Sequence, residues 1–441
     1  MKKIKNIIQR NILLKIASLN TISVLVKVFS GLLTSKAIAF FVGVEGMALI
    51  GNLRNFISSI QAFSTLGFSN AVVKYVSELK LIKEELSKSI STSYILSFLV
   101  SIILSCYCFF NADYISGTIF YAQYDFGHII KVMALGLPFY ASNIFLISIL
   151  NGQTKYKEVL IINIYGQVLG LIVTLVLIWQ KKLEGALIAV VLVPAMLFFL
   201  TIFWKSKFIS VAKLVQFKEL SLQHFKKLSA FSIMALFSAT VIPLVTLYIR
   251  FYIVDNQGIT QAGYWETMLR ISNYYLMFVT SLMSLYILPK FSSIDNSKDF
   301  RNEVIGFYKT IIPIFALGLL FIYFLRTYIV QLVFSKEFQP VENLFLWQLL
   351  GDFVKVLSLV ISYQFLAKKM FWHYIIVETF SLTLLYLSSI YFIDIYGAKG
   401  ATIAHFVTFT VHYVVVLLIF RASLFSRQPQ NQDDDNEKNN F

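Results

Sequence analysis

Between Val159 and Gln180 the chain runs 22 residues without a charge, and between Gly185 and Trp204 a further 20. Twenty residues of α-helix rise about 30 Å, the thickness of the hydrocarbon core of a bilayer. No water is available there, so each backbone N–H and C=O must be satisfied within its own segment. That condition selects the α-helix over irregular or open-sheet structure. Runs of this kind recur along the whole chain. Hydropathy and loop signals divide it into about twelve spans: 12–41, 46–76, 88–110, 127–152, 158–180 and 184–204, then 222–253, 262–289, 303–325, 341–367, 372–393 and 398–424. Charged residues make up 14% of the chain, against about 25% in soluble domains. The expected class is an all-α polytopic membrane protein. The basic stretch from Met1 to Lys15 runs into a long apolar segment with no small-residue cleavage site, so the first helix is expected to be retained.

The basic residues orient the spans. With the N-terminus in the cytoplasm, 25 of the 38 lysines and arginines fall in cytoplasmic segments. Five fall in the opposite loops: Lys181, Lys182, Arg326, Lys336 and Lys399. The positive-inside rule is satisfied at every loop, which puts both termini in the cytoplasm and makes the span count even. The formal net charge of +15 is therefore a topology signal, and nucleic acid is not an expected partner.

Four regions follow. Residues 1–204 form an N-terminal six-helix lobe and 222–424 a C-terminal one. Residues 205–227, with six lysines among Phe208, Ile209, Val211, Leu214, Val215, Phe217 and Leu220, read as an amphipathic linker on the anionic cytoplasmic leaflet. The polar tail 427–441 reads as disordered. A weak internal repeat supports the division. Gly185-Ala186-Leu187-Ile188-Ala189 opens span six and Gly400-Ala401-Thr402-Ile403-Ala404 opens span twelve, 215 residues apart. Leu150–Leu160 matches Leu366–Ile376 at an offset of 216. Repeated halves of equal orientation imply a pseudo-two-fold axis along the membrane normal, with a cavity between the lobes.

Eight basic residues remain inside the spans: Lys27, Lys36, Arg54, Lys131, Arg250, Arg270, Lys309 and Lys355. A charge at the bilayer centre costs about 2.5–3.5 kcal/mol on insertion scales, so such residues face a bundle interior or a wet cavity. Lys131 and Lys309 are near helix ends and can snorkel. Arg270 follows Glu266 by one turn, and Lys355 follows Asp352 by three residues, so each is a candidate same-face pair. Lys27, Lys36, Arg54 and Arg250 have no such acid, and Glu45 can answer only Lys36. The cations concentrate in the first two helices of each half. Facing halves would put Lys27, Lys36, Arg54, Arg250 and Arg270 on one cationic cavity suited to phosphate or carboxylate. The alternative for each is an acid on another helix, and Glu266, Asp352 and Glu378 are too few to serve all of them. Asp352, Lys355 and Glu378 are either a proton- or cation-coupling site or a buried structural network. Gly31, Gly43, Gly46, Gly51 and Gly67 permit close packing. Pro138, Pro194, Pro243 and Pro313 are candidate bends.

Cys106 and Cys108 are not a metal site, and the five histidines show no ligand spacing; His405 and His412, seven apart on one helix face, read as buried. No phosphate-binding glycine loop, nucleophile elbow or HExxH is present. The chain is read as a non-enzyme without a cofactor.

Several segments together resemble the Wzx-type O-antigen flippases, in the polysaccharide-transporter branch of the MOP superfamily. They are Ser30-Gly31-Leu32-Leu33-Thr34-Ser35-Lys36 through Gly43-Val44-Glu45-Gly46, then Asn52-Leu53-Arg54-Asn55-Phe56 and Val73-Lys74-Tyr75-Val76. Further on are Gly263-Tyr264-Trp265 with Tyr286-Ile287-Leu288-Pro289, and Leu344 through Lys355. The likeness covers almost the whole chain except the tail. It implies a MATE-like fold in a bacterial inner membrane. It also implies a substrate, an oligosaccharide on undecaprenyl pyrophosphate moved from the cytoplasmic to the periplasmic leaflet by alternating access. Membrane lipid, a proton or sodium counter-ion, an O-antigen polymerase and a chain-length regulator are the partners it implies. The family's cationic lumen maps onto Lys27, Lys36, Arg54, Arg250 and Arg270 in character only. Two other readings are a drug/cation antiporter of the same superfamily, which would prefer acids in its cavity, and an O-antigen polymerase, which would need large outer loops.

Overall fold

The computed structural model describes residues 12–79, 83–203 and 215–425. Among them the regular secondary structure is all helical, as a bilayer requires of the spans. The N-terminal half contains α1 (Ile12–Phe41), α2 (Gly43–Ser64), α3 (Ser69–Glu78), α4 (Lys83–Phe110), α5 (Ala112–Ile119), α6 (Gly127–Gly152) and α7 (Tyr156–Phe203). The C-terminal half contains α8 (Leu222–Gln257), α9 (Ile259–Leu282), α10 (Leu288–Ser293), α11 (Ser297–Phe324), α12 (Arg326–Val333), α13 (Phe345–Ala367), α14 (Phe371–Tyr396), α15 (Ala398–Ile419) and α16 (Arg421–Phe425). Ten helices among the described residues are long and apolar enough to cross a membrane, or eleven if the bent pair α2–α3 is one span.

The sharp breaks fall at residues with positive φ. The four prolines singled out as bends lie inside α6, α7, α8 and α11, which run on through them. α2 and α3 meet at 42° across Leu66 (φ 51°) and Gly67 (φ 66°). α7 is 48 residues long and non-helical at Lys182 (φ 47°, ψ −118°). A straight helix of that length would span about 72 Å, more than twice the hydrocarbon core. The Lys-Lys-Leu-Glu motif at 181–184 therefore turns the chain back. Gly185 follows, and a Cβ there would run into the carbonyl of Leu177. Gly400, at the turn from α14 to α15, sits in the same way against the carbonyl of Phe392. In both turns the obstructing carbonyl is eight residues earlier. The two copies of the sequence repeat thus make one backbone contact that only glycine allows.

Within the first half α7 packs on α1 and α6, and within the second α15 packs on α13 and α14. α2 crosses between them and packs on both α8 and α9. Several apolar clusters are common to the two halves, and one is extensive. It buries Met47, Ile50 and Leu53 of α2 with Met268 and Ile271 of α9, and continues to Phe334, Phe338 and Phe345. A second core belongs to the C-terminal half alone, around Phe291, Phe300, Val360 and Phe365.

Polar ties join the halves at the Phe41 end. Lys36 Nζ donates to the carbonyls of Phe334 at 2.6 Å and Gln331 at 3.3 Å. Thr260 donates to Glu45 at 3.3 Å, and Ser35 and Tyr274 share a hydrogen bond of 2.8 Å. At the other end the connector between the halves docks on α4. Ser91 Oγ accepts from Gln216 N–H at 2.9 Å, and Thr92 Oγ1 accepts from Ser221 N–H at 3.1 Å. The amphipathic-linker reading falls partly outside the described residues (204–214). Residues 215–221 are an extended strip with one 3₁₀ turn, Phe217–Glu219, rather than a helix. The hydroxyls of α4 capture the backbone groups that a helix would have used. The tail 427–441 also lies outside the described residues.

Candidate functional site

Between α1, α2, α7, α9 and α13 lie two adjoining chambers. The larger, about 420 Å³, is lined by Lys27, Thr34, Arg54, Ser58, Gln61 and Gln167, with small residues of α7 behind them. The smaller, about 300 Å³, is lined by Asn273, Thr280 and Lys355 with apolar residues of α9 and α13. Arg54, Arg270, Tyr274 and Met277 belong to both walls. No Asp or Glu lines either chamber among the described residues. Four cations and no carboxylate line this space inside the helical bundle, a charge distribution that attracts anions.

Local packing aims these groups. Gly31 of α1 lets the Tyr274 ring approach, since a Cβ there would lie 2.6 Å from its Cε1. Ser35, one turn on, then holds the Tyr274 hydroxyl. Arg54 comes from α2 and Arg270 from α9, so the two shared guanidinium groups arrive from opposite halves. Small residues Gly166, Gly170, Ala186 and Ala189 on α7 keep the larger chamber open opposite them.

Of the five cations expected together, Lys27, Arg54 and Arg270 share the cavity and two do not. Lys36 is at the Phe41 end, bonded to the carbonyls that end α12. The last carbonyls of a helix lack intrahelical donors, and an ammonium answers both that need and the helix dipole. Arg250 is 0% exposed and lines neither chamber. It does have an acid: its Nη2 lies 2.5 Å from Glu266 Oε2. It also donates to Asn52 Oδ1 at 3.1 Å and packs over the Trp265 ring at 5.5 Å. Arg250 has no acid on its own helix face, and the alternative of an acid on another helix is the one that holds for it. The sequence does carry a signal for this pair. Residues 250 and 266 are each eight positions from Gly258, the turn between α8 and α9. Equal distances from a tight turn put two residues at the same depth of a helical hairpin. The expected pair Arg270–Glu266 is present at 3.3 Å, so one carboxylate serves two arginines.

Asp352, Lys355 and Glu378 are not one hydrogen-bonded cluster. Asp352 is 0% exposed and accepts from His405 Nε2 at 2.9 Å, Tyr275 at 2.5 Å, and Ser272. Gln348 Nε2 lies 3.3 Å from the same carboxylate. Its acceptor sites are thus filled from α9, α13 and α15, and Lys355 turns to the smaller chamber, with its Nζ 5.0 Å from the Phe409 ring centroid. Glu378, on α14, has Lys355 as the basic group acting on it. His405 was read as simply buried, yet it is a hydrogen-bond partner of Asp352. The two are 53 positions apart, and the sequence carries no local sign of the contact.

These features define a class, the multi-pass helical membrane proteins of MATE-like fold. An inward-facing multidrug-resistance MATE transporter of the MOP superfamily superposes with a TM-score of 0.74 at 14% identity, covering 95% of this chain and 96% of that one. The lipid II flippase MurJ, inward closed, superposes with a TM-score of 0.68 at 17% identity, covering 92% and 87%. The model of the polysaccharide biosynthesis protein family matches residues 37–343, and the chain belongs to that family. The lipid III flippase of Escherichia coli (strain K12) is 27% identical over 407 residues, which is 90% of this chain and 95% of that protein.

Proposed function

We propose that this protein is a flippase for an oligosaccharide carried on a polyprenyl pyrophosphate, of the undecaprenyl pyrophosphate and O-antigen repeat-unit kind, in a bacterial inner membrane. The single observation that carries the reading is the cavity that Lys27, Arg54, Arg270 and Lys355 line without an acid. A pyrophosphate with sugars is rejected by hydrocarbon because its charges and hydroxyls lose their water. The cavity replaces that water. Arg54 and Arg270, from facing halves, suit the two phosphates, and Gln61, Gln167, Thr34 and Ser58 suit sugar hydroxyls. The polyprenyl tail stays in lipid.

In this reading the chain has twelve spans, α7 counting as two about Lys182 and α2–α3 as one. The spans form two six-helix lobes related by a pseudo-two-fold axis, and the matched glycines Gly185 and Gly400 support that symmetry. With both termini cytoplasmic, the Phe41 end is periplasmic and closed, and the cavity is reached from the cytoplasmic side. The lipid III flippase relative favours this substrate class over the cation substrates of an antiporter, which would want carboxylates on the wall.

The test is deletion of the gene in its host, with lipid-linked repeat units and surface polysaccharide measured together. Accumulated lipid-linked oligosaccharide without surface polymer, restored by the gene, is the expected result. In the same strain Arg54→Ala is expected to lower complementation about ten-fold or more, the equivalent of one charge-assisted hydrogen bond of about 1.5–3 kcal/mol, at normal membrane abundance. Full activity of Arg54→Ala and Lys27→Ala would remove the cationic-cavity mechanism.

A further inference from the structure

Among the described residues Glu266 is the one acid paired with a cavity arginine, Arg270, and at first sight it opposes the site's charge. Its geometry says otherwise. Each carboxylate oxygen takes one guanidinium, Oε2 from Arg250 at 2.5 Å and Oε1 from Arg270 Nε at 3.3 Å. Arg250 is buried away from both chambers, where its charge is answered by Glu266 and its Nη1 by Asn52. Arg270 is held only at Nε, on the inner edge of its guanidinium. Its Nη2 is buried without a protein hydrogen-bond partner, and the side chain lines both chambers. Gly51 of α2 makes the arrangement possible, because a Cβ there would lie 2.6 Å from the Glu266 carboxyl carbon and 2.9 Å from Arg250 Cζ.

We infer that Glu266 is a positioning residue for the anion site: anchored by Arg250, it holds Arg270 from behind and presents the outer guanidinium nitrogens to a pyrophosphate. The three groups together carry one net positive charge, and it is delivered at the cavity end. A free arginine side chain loses much rotamer entropy when it binds, and a pre-held one has lost it already. The inference rests on the reading that the cavity binds a pyrophosphate.

Positioning and simple charge neutralisation make opposite predictions. Removing a neutraliser tightens anion binding, whereas removing a positioning group weakens it although the site gains positive charge. The experiment is binding of undecaprenyl pyrophosphate to the purified full-length protein in nanodiscs. Glu266→Gln is expected to weaken binding about ten-fold. Arg270→Met should weaken it similarly, and the double variant Glu266→Gln/Arg270→Met should be no weaker than Arg270→Met alone, because Glu266 acts through Arg270. If Glu266→Gln does not fold, Arg250→Met/Glu266→Gln removes the charge that would be left unpaired, and it is expected to fold and still bind about ten-fold more weakly. Wild-type or tighter binding by either Glu266→Gln protein, with Arg54→Ala weakened in the same assay, overturns the positioning role alone. No binding by the wild type, or none lost in Arg54→Ala, overturns the pyrophosphate reading and this inference with it.

Discussion

Replacing Asp352 tests whether its cluster is a structural joint. The carboxylate is the common acceptor for Ser272 and Tyr275 on α9 and for His405 on α15, with Gln348 of its own helix alongside. Asp352→Ala leaves three donors, Ser272, Tyr275 and His405, without that acceptor at a position that is 0% exposed, while Gln348 Nε2 keeps Ser272 Oγ at 3.5 Å. Gln348 Oε1, buried and unpartnered, can take one of them. Two remain, at about 1–3 kcal/mol each for a buried unsatisfied group. Relief from burying a carboxylate offsets part of this. The net expectation is a loss of about 2–4 kcal/mol. Asp352→Asn keeps one oxygen for the hydroxyls and loses the charge-assisted bond to His405, so it should cost roughly half as much. The assay is unfolding by SDS titration in mixed micelles, followed by tryptophan fluorescence. Trp347, whose ring lies 5.5 Å from Phe406 across the α13–α15 contact, reports on the joint directly. An Asp352→Ala midpoint equal to that of the wild type would refute the reasoning. So would an Asp352→Asn protein of wild-type stability that no longer transports, a result that would favour the coupling alternative.

Two further expectations concern the ends of the helices. Lys36→Met removes the ammonium from the carbonyls of Gln331 and Phe334. It should shift the protein toward opening at the Phe41 end by roughly two- to five-fold, a modest effect because the group is solvent-exposed. Cysteine labelling at Thr34 from the outer side reads it, and unchanged labelling would deny Lys36 a closing role. Gly185→Ala and Gly400→Ala each drive a Cβ into a backbone carbonyl eight residues earlier. Both should destabilise by about 1–3 kcal/mol, as overpacking does. Similar losses in SDS titration would support the equivalence of the two turns, and a loss at one position only would oppose it.

Much of the architecture was legible because hydropathy is a local property. The first span was read as 12–41 and the helix is Ile12–Phe41; the fourth was read as 127–152 and the helix is Gly127–Gly152. The break at 181–184 was visible as charges between two apolar runs. The cavity was legible in part. Counting cations against acids identified Lys27, Arg54 and Arg270, and the one-turn spacing identified Glu266 as a partner of Arg270. The same count misplaced Lys36 and Arg250, because it can find an unpaired charge but not a backbone carbonyl or an acid on the next helix.

The sequence by itself determined that this chain crosses a membrane many times, as helices, with more cations than acids within its spans. Backbone desolvation and charge burial act on each segment wherever it later packs, so these conclusions need no neighbours. Only the tertiary structure decided which cations share the cavity. Lys36 meets Phe334 across 298 residues of sequence, Asn52 meets Arg250 across 198, and Asp352 meets His405 across 53. The role of each charge is set by the nearest donor or acceptor in space, and a helix chooses that neighbour by packing, through residues such as Gly31 and Gly51 that carry no charge at all.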